Sequence, residues 1–220
     1  IKGIMADIEE PHTRLHESAA HIQELYTDVD SELGSFLREK IVDHLNFTHT
    51  VKDAFLSEGV TSIDVQLDPT KCGLGLWLYS EETTEAMQAD PAFKALLDPV
   101  YEPHVELHKS VERINTLLRS MRKEEALAYF NDTTMPAMHE TLGVLEKVIE
   151  WHDGQLADQA KAILVYTTET APALNEVQRL LFNAKDVVSE NIMTDEVMLN
   201  RAGSTENGVL IMVGVALPLG

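Results

Sequence analysis

Three features of the 220-residue chain predict an all-α fold, an antiparallel helical bundle of the four-helix type. Apolar residues recur at spacings of three and four over much of the length, which gathers them on one face of a helix. Glycines (11) and prolines (8) are too few for a succession of tight hairpins. Leu, Ala, Glu and Met, all good helix formers, are frequent, while aromatic residues make up only 6%. Hydrophobic residues reach 44%, enough to bury a core and to argue against global disorder. Lys and Arg number 17 against 37 Asp and Glu, a net charge of −20, so no nucleic-acid partner is expected: phosphate binding needs basic surface. The single cysteine, Cys72, excludes an intrachain disulfide framework and leaves the compartment open.

The elements follow in order. Ile22, Leu25, Val29, Leu33, Leu37, Ile41 and His44 form one helical stripe, which Asp30, Ser31 and Gly34 can divide into two helices end to end. It stops near Ser57-Glu58-Gly59, a C-terminal signal. Residues 60–77 read as irregular, with turns at Asp68-Pro69 and Gly73-Leu-Gly75. A short helix is expected from about Glu81 to Leu97, ended by Asp98-Pro99 because the residue before proline is pushed away from helical geometry. Pro103 fits the first turn of a new helix running through His104, His108, Val111 and Leu118 to about Phe130. Asn131-Asp-Thr-Thr134 is expected to cap the next helix, with Pro136 in its first turn. Met138, Leu142, Leu145, Ile149, His152 and Leu156 carry that stripe on, and Pro172 is expected to kink or split it before Leu174, Val177, Leu181, Ala184 and Val188. Long stripes with short connections imply the bundle.

The chain closes on an apolar run, Val209-Leu-Ile-Met-Val-Gly-Val-Ala-Leu-Pro-Leu-Gly220, shorter than the roughly 20 residues a spanning helix needs. It is readable as a tail packed on the core or as the first half of a transmembrane helix. The second reading is preferred, since the run has no charge and no amphipathic period. One internal repeat stands out: Glu10-Pro-His-Thr-Arg-Leu-His-Glu-Ser18 matches Glu102-Pro-His-Val-Glu-Leu-His-Lys-Ser110, 92 residues on, and points to duplication of a unit.

The chemistry sits on histidines and the cysteine. His104 and His108 are four apart on a predicted helix, on one face, where two imidazoles can reach one metal. Alone, such a pair is equally a pair of solvated surface residues. Cys72 lies between flexible glycines in Lys71-Cys-Gly-Leu-Gly-Leu-Trp77, and His44 sits on an apolar stripe, where its nitrogens need partners. The bland reading of His44 is a core histidine bonded to a carbonyl. Three imidazoles and one thiolate make a complete tetrahedral set, and the soft sulfur favours Zn2+ over Mg2+ or Ca2+. His21 and His49 read as surface residues, and Trp151 and the Met residues as core. His139 and His152 could pair with carboxylates, but nothing completes a site around them. No phosphate-cradling glycine loop, Ser/His/Asp set or HExxH motif is present. Four protein ligands leave no open coordination position, so no enzyme activity is expected.

His44-Leu-Asn-Phe47, Cys72-Gly-Leu-Gly-Leu-Trp77 and His104-Val-Glu-Leu-His108 together resemble the chemoreceptor zinc-binding (CZB) domain, in the family's order and over roughly residues 34–120. Phe47 stands where Trp is commoner. The resemblance implies a helical bundle holding Zn2+ through His44, Cys72, His104 and His108, with Trp77 a core anchor under the cysteine loop. It further implies residues 1–33 as the tail helix of an upstream repeat, 34–130 as the zinc-binding bundle, 131–208 as membrane-proximal helices and 209–220 as the start of a transmembrane helix. His12 and His16 would be an orphan half-site. The function implied is the sensor region of a bacterial methyl-accepting chemotaxis protein, at the inner membrane with the sensor extracytoplasmic (periplasmic). Zn2+ would set a helix shift passed to the signalling parts. A homodimer, the membrane through the C-terminal segment, and a cytoplasmic histidine kinase with its adaptor are the expected partners. Two alternatives stay open: a structural zinc bundle without sensing, and a regulatory domain of another signalling protein such as a diguanylate cyclase.

Overall fold

In the computed structural model, which describes residues 2–191 and 197–200, the stripe from Ile22 to His44 is two helices. α1 (Lys2–Leu25) and α2 (Leu33–Ala54) are parted by residues 26–32, where Asp30 Oδ1 accepts the Glu32 N–H at 2.9 Å. A side chain that bonds its own backbone in this way offers an alternative to the helix. Residues 55–72 are irregular and include Gly59 at φ +73°. A short helix, α3 (Gly73–Leu78), follows.

The single helix expected between Glu81 and Leu97 is two, α4 (Glu81–Ala89) and α5 (Pro91–Leu97). Pro91 holds Asp90 extended (φ −122°, ψ 101°), and the Asp90 carboxylate accepts the Ala92 and Phe93 N–H groups, ending one helix and capping the next. A 3₁₀ turn, Asp98–Val100, leads into α6 (Tyr101–Arg119), with Pro103 in its first turn as expected.

α6 ends at Arg119 rather than near Phe130. The Met121 N–H donates to the Leu118 carbonyl at 3.0 Å and the Arg122 N–H to the Leu117 carbonyl at 2.9 Å, a Schellman closure that puts Met121 at φ 60°. α7 (Lys123–Tyr129) follows. The cap expected at Asn131–Thr134 is absent: Phe130–Thr134 is a π-helical turn that runs unbroken into α8 (Met135–Val165). A second π-helical turn, Tyr166–Thr170, joins α8 to α9 (Ala171–Asn191). Each π turn lies just before a proline, Pro136 or Pro172. Proline has no N–H and its ring crowds the carbonyl four residues back, and a widened turn makes room while the chain stays helical.

The described helices carry no strand between them, and the chain is all-α. Contacts group residues 27–160 into one compact unit and the described residues of 1–26 and 161–220 into another. In the first unit α2 and α6 run in the same direction: His44 meets His104, Phe47 meets His108, and Val51 shares a core with Val111 and Ile114. Parallel neighbours need a long connection, which residues 55–100 supply. α8 runs antiparallel to both. Leu37 of α2 packs with Leu145 and Val148, and Leu107 of α6 with Ala137, Met138 and Leu142. In the second unit α1 and α9 are antiparallel, with Thr170 Oγ1 donating to Ser18 Oγ at 2.9 Å and Arg14 acting electrostatically on Glu176. The apolar run 209–220 lies outside the described residues.

Met121 is 92% exposed, so its side chain gains nothing from the left-handed backbone it adopts. Met121→Gly is expected to raise stability by about 1 kcal/mol, because a residue with a Cβ pays a penalty there that glycine does not. A denaturant midpoint compared with wild type checks this.

Candidate metal centre

α2 delivers His44 to a buried face, with the side chain only 3% exposed. Its Nδ1–H donates to the Lys40 carbonyl one turn back at 2.7 Å, which fixes the tautomer and leaves the Nε2 lone pair free. The bland sequence reading of His44, a core histidine bonded to a carbonyl, accounts for this one nitrogen only. α6 delivers His104 and His108, whose rings meet edge to face at 4.7 Å and 82°. The His108 Nδ1–H donates to the Gln66 carbonyl at 2.6 Å. A histidine whose outer nitrogen is tied to a carbonyl presents an oriented lone pair on the other, the usual support of a metal ligand.

The Gln66 carbonyl is itself held in place. Asn115, buried on α6, accepts the Ile63 N–H at 2.7 Å and donates to the Ile63 carbonyl at 3.2 Å. This residue was missed by sequence reasoning. The signal available was an amide on the apolar stripe of Val111 and Leu118, where a polar side chain must find partners.

Cys72 comes from the loop. Asp68 builds a turn by accepting the Thr70 N–H and hydroxyl and by pairing with Lys71 at 2.8 Å. Those same contacts, the Lys71 ammonium first, hold the Asp68 carboxyl down at about 2. The turn leaves Cys72 extended at the head of α3, where Sγ accepts the Gly75 N–H at 3.2 Å. Gly75 is obligatory here: a Cβ on it would lie 1.8 Å from the Pro69 carbonyl oxygen.

These pieces bring the four sequence-predicted residues to one point. One nitrogen from each of His44, His104 and His108 and the Cys72 sulfur all lie within 4.8 Å of one another. His104 Nε2 is 3.2 Å from His44 Nε2 and 3.3 Å from Cys72 Sγ, and the sulfur is 3.9 Å from His44 Nε2. Donor atoms around a tetrahedral Zn2+ stand about 3.3 to 3.6 Å apart, given bonds of about 2.0 and 2.3 Å. His108 Nε2 is buried and has no hydrogen-bond partner. A lone pair in that position is expensive unless a cation or donor meets it. The donor set and the orphaned nitrogen therefore fit a metal. His104 departs from the pattern in one respect: its outer Nδ1 is buried without a partner.

Burial sets the protonation states. Desolvation, with the neighbouring imidazoles adding, pushes His104 down to about 3. Desolvation also pushes His108 to about 4, partly offset by the Gln66 bond. His44 is lowered by the same cause. All three rings are neutral at pH 7, the form that ligates. Burial raises the Cys72 thiol above its ordinary value. With four ligands converging, the centre has no open position for a substrate. A cavity of about 290 Å³ elsewhere in the unit, walled by Trp77, Phe93, Trp151 and His152, includes none of the four.

The other sequence-predicted residues lie apart from this centre. His21, His49 and His139 are exposed. Trp77 packs on the core below the loop, 5.6 Å from the Phe36 ring. His152 is buried and bonds the Asp30 carbonyl at 2.7 Å, and its Nδ1 is 3.7 Å from Asp153. His12 and His16 stand together on α1, exposed, with Nε2 atoms 3.2 Å apart.

Two outcomes follow from this geometry. Gly75→Ala is expected to abolish metal retention while leaving far-UV helicity nearly intact, because the clash displaces the Cys72 loop and not the long helices. Metal analysis beside circular dichroism reads both. Metal-free protein is expected to lose stability as pH falls below the ordinary histidine value of about 6.5 toward the folded values of about 4 and about 3. In that window the unfolded chain binds protons that the buried rings refuse, so stability rises with pH. Urea midpoints of chelator-treated protein at pH 7 and pH 4.5 test the sign.

Residues 44–115, which contain all four residues of the centre, match the family profile of the chemoreceptor zinc-binding domain. No curated protein and no solved structure matches the chain. The match corrects one expectation. A periplasmic sensor region anchored in the inner membrane is overturned, because the matched family is one of cytoplasmic domains. No helix among the described residues is long and apolar enough to cross a membrane. The domain family is regulatory and sensory rather than catalytic in itself. With its three motifs in order and their four side chains gathered at one point, the segment 44–115 is the part of the chain that matches the chemoreceptor zinc-binding domain.

Proposed function

We propose that residues 27–160 are a zinc-responsive, non-catalytic sensory module of a bacterial chemotaxis transducer. The observation that carries this reading is the convergence of three neutral imidazoles and one thiol, drawn from α2, the loop and α6, inside the segment that matches a chemoreceptor domain. Zn2+ would be held by His44, Cys72, His104 and His108, and when bound it supplies a closed four-coordinate crosslink and takes the place of the thiol proton. The chain's own residues do the rest. His44 ties α2, and His104 with His108 ties α6. The Asp68 turn presents Cys72 as the strap between them. Without the crosslink the buried His108 Nε2 has no partner, which favours parting α2 from α6. α8 packs on both helices, so a change in their spacing is felt by a helix of 31 residues, about 46 Å long. A homodimer, and a histidine kinase with its adaptor, are the partners that suit such a transducer.

A structural site is the second reading, supported by the two carbonyl-anchored rings, which hold the centre ready. Metal content separates both readings from neither. Wild-type chain is expected to retain zinc at this centre through extensive dialysis, and Cys72→Ser and His104→Ala to lose most of it. Equal retention in all three would end the zinc assignment. Spin labels on α2 and α6 then separate sensing from scaffolding. A sensor changes their spacing, and the kinase output of the transducer, when a chelator removes zinc. Unchanged spacing and output leave a scaffold.

A further inference from the structure

The repeat of nine residues read from the sequence extends into three dimensions. In the first unit Ser110 of α6 donates to the Leu107 carbonyl at 2.8 Å and meets Thr134 Oγ1, at the end of a π turn, at 2.8 Å. In the second unit Ser18 of α1 donates to the Leu15 carbonyl at 3.1 Å and accepts from Thr170 Oγ1, at the end of the other π turn, at 2.9 Å. All four hydroxyl residues are buried. Each threonine is followed two residues on by a proline, Pro136 or Pro172, and then by a buried alanine, Ala137 or Ala173. Pro11 and Pro103, which precede the two histidine pairs, are buried alike. α1 with α9 thus repeats the half of the zinc-binding unit formed by α6 with α8.

The repeat includes the geometry of its histidines. His12 and His16 stack edge to face at 4.6 Å and 88°, against 4.7 Å and 82° for His104 and His108. Their Nε2 atoms, 3.2 Å apart, would subtend about 100° at a cation bound at about 2.05 Å, close to a tetrahedral angle. The difference lies in what covers them: α2 and the Cys72 loop enclose the α6 pair, whereas both rings on α1 are exposed. A single N–H···N bond between exposed rings gains little over water. A cation at the same point would engage both lone pairs at once.

We propose that His12 and His16 form a second divalent-metal site, a two-imidazole chelate on α1 whose remaining coordination positions are open to water. Its preferred occupants are Zn2+ and similar imidazole-binding cations. Two ligands in place of four make it the weaker and faster-exchanging of the two sites.

Calorimetric titration of the 220-residue chain with Zn2+ at pH 7.4 tests this, starting from protein whose four-ligand centre is already filled. Wild type is expected to take up one further equivalent. His12→Ala and His16→Ala are each expected to lose that equivalent, while dialysis-resistant zinc stays as in wild type. His21→Ala, an exposed histidine five residues further along the same helix, is expected to keep it. Cys72→Ser with His104→Ala is expected to lose the resistant zinc and keep the weak equivalent, so failure at one site is distinguishable from failure at the other. No further uptake by wild type, or uptake that survives His12→Ala and His16→Ala, overturns the proposal.

Discussion

Three imidazole nitrogens and a sulfur, crowded within 4.8 Å with the three histidines buried, are a constraint that the surrounding fold has to answer. His44 and His108, whose outer nitrogens carry the proton, present bare lone pairs inward. Such groups repel one another at close range. Protonation would relieve the crowding, but burial makes an imidazolium here more costly still. A divalent cation satisfies all four donors at once. The arrangement of α2, α6 and the Cys72 loop is intelligible as a container for that charge.

Two of the rings are oriented by backbone carbonyls, those of Lys40 and Gln66, and side chains outside the ligand set brace the segments that carry them. Lys40 supplies the carbonyl that orients His44. Its ammonium, nearly buried, is paired with Glu39 and Asp43 and lies 5.3 Å from the Phe36 ring. Its stem also fills the space above Gly73, where a Cβ would meet Nζ at 3.0 Å. One side chain therefore braces both α2 and the start of the cysteine loop. Asn115 does the equivalent work on α6: by satisfying both backbone groups of Ile63 it fixes the irregular segment that carries the Gln66 carbonyl to His108. The inner ring of the centre is thus only as rigid as a lysine and an asparagine that never touch a metal.

Much of this was legible from residue order. The helical stripes, the histidine pair at a spacing of four, and the cysteine between glycines all encode local geometry, and local geometry survives into the fold. Boundaries that depend on competition between local effects were harder. Pro136 and Pro172 promised a cap and a break, and tertiary packing kept the chain helical by widening the turn before each. Pro91 did break its helix, because Asp90 stood ready to cap the next one. The end of α6 hung on Met121 taking a left-handed conformation that its side chain disfavours and that nothing in its identity announces. Asn115 illustrates the remaining gap: its role is defined by Ile63, 52 residues away, and a reading of spacing along one helix contains no information about that partner. The inference of an extracytoplasmic sensor leaned on the character of the last dozen residues, and the family of the zinc-binding segment overrode that location.

The parallel course of α2 and α6 has a kinetic corollary. α6, α7 and the start of α8 are successive in the chain and pair through neighbours close in sequence, so their association closes only short loops. His44 stands 60 residues from His104, and Cys72 is 28 residues from His44 and 32 from His104, separations that raise the contact order of this half of the unit. During folding, then, the α6 hairpin is the natural nucleus, and its two histidines are in register before α2 and the loop are docked. A cation arriving early would meet a two-imidazole foothold first and recruit the more distant ligands afterwards, so that chelation guides the docking of α2 and the loop onto α6.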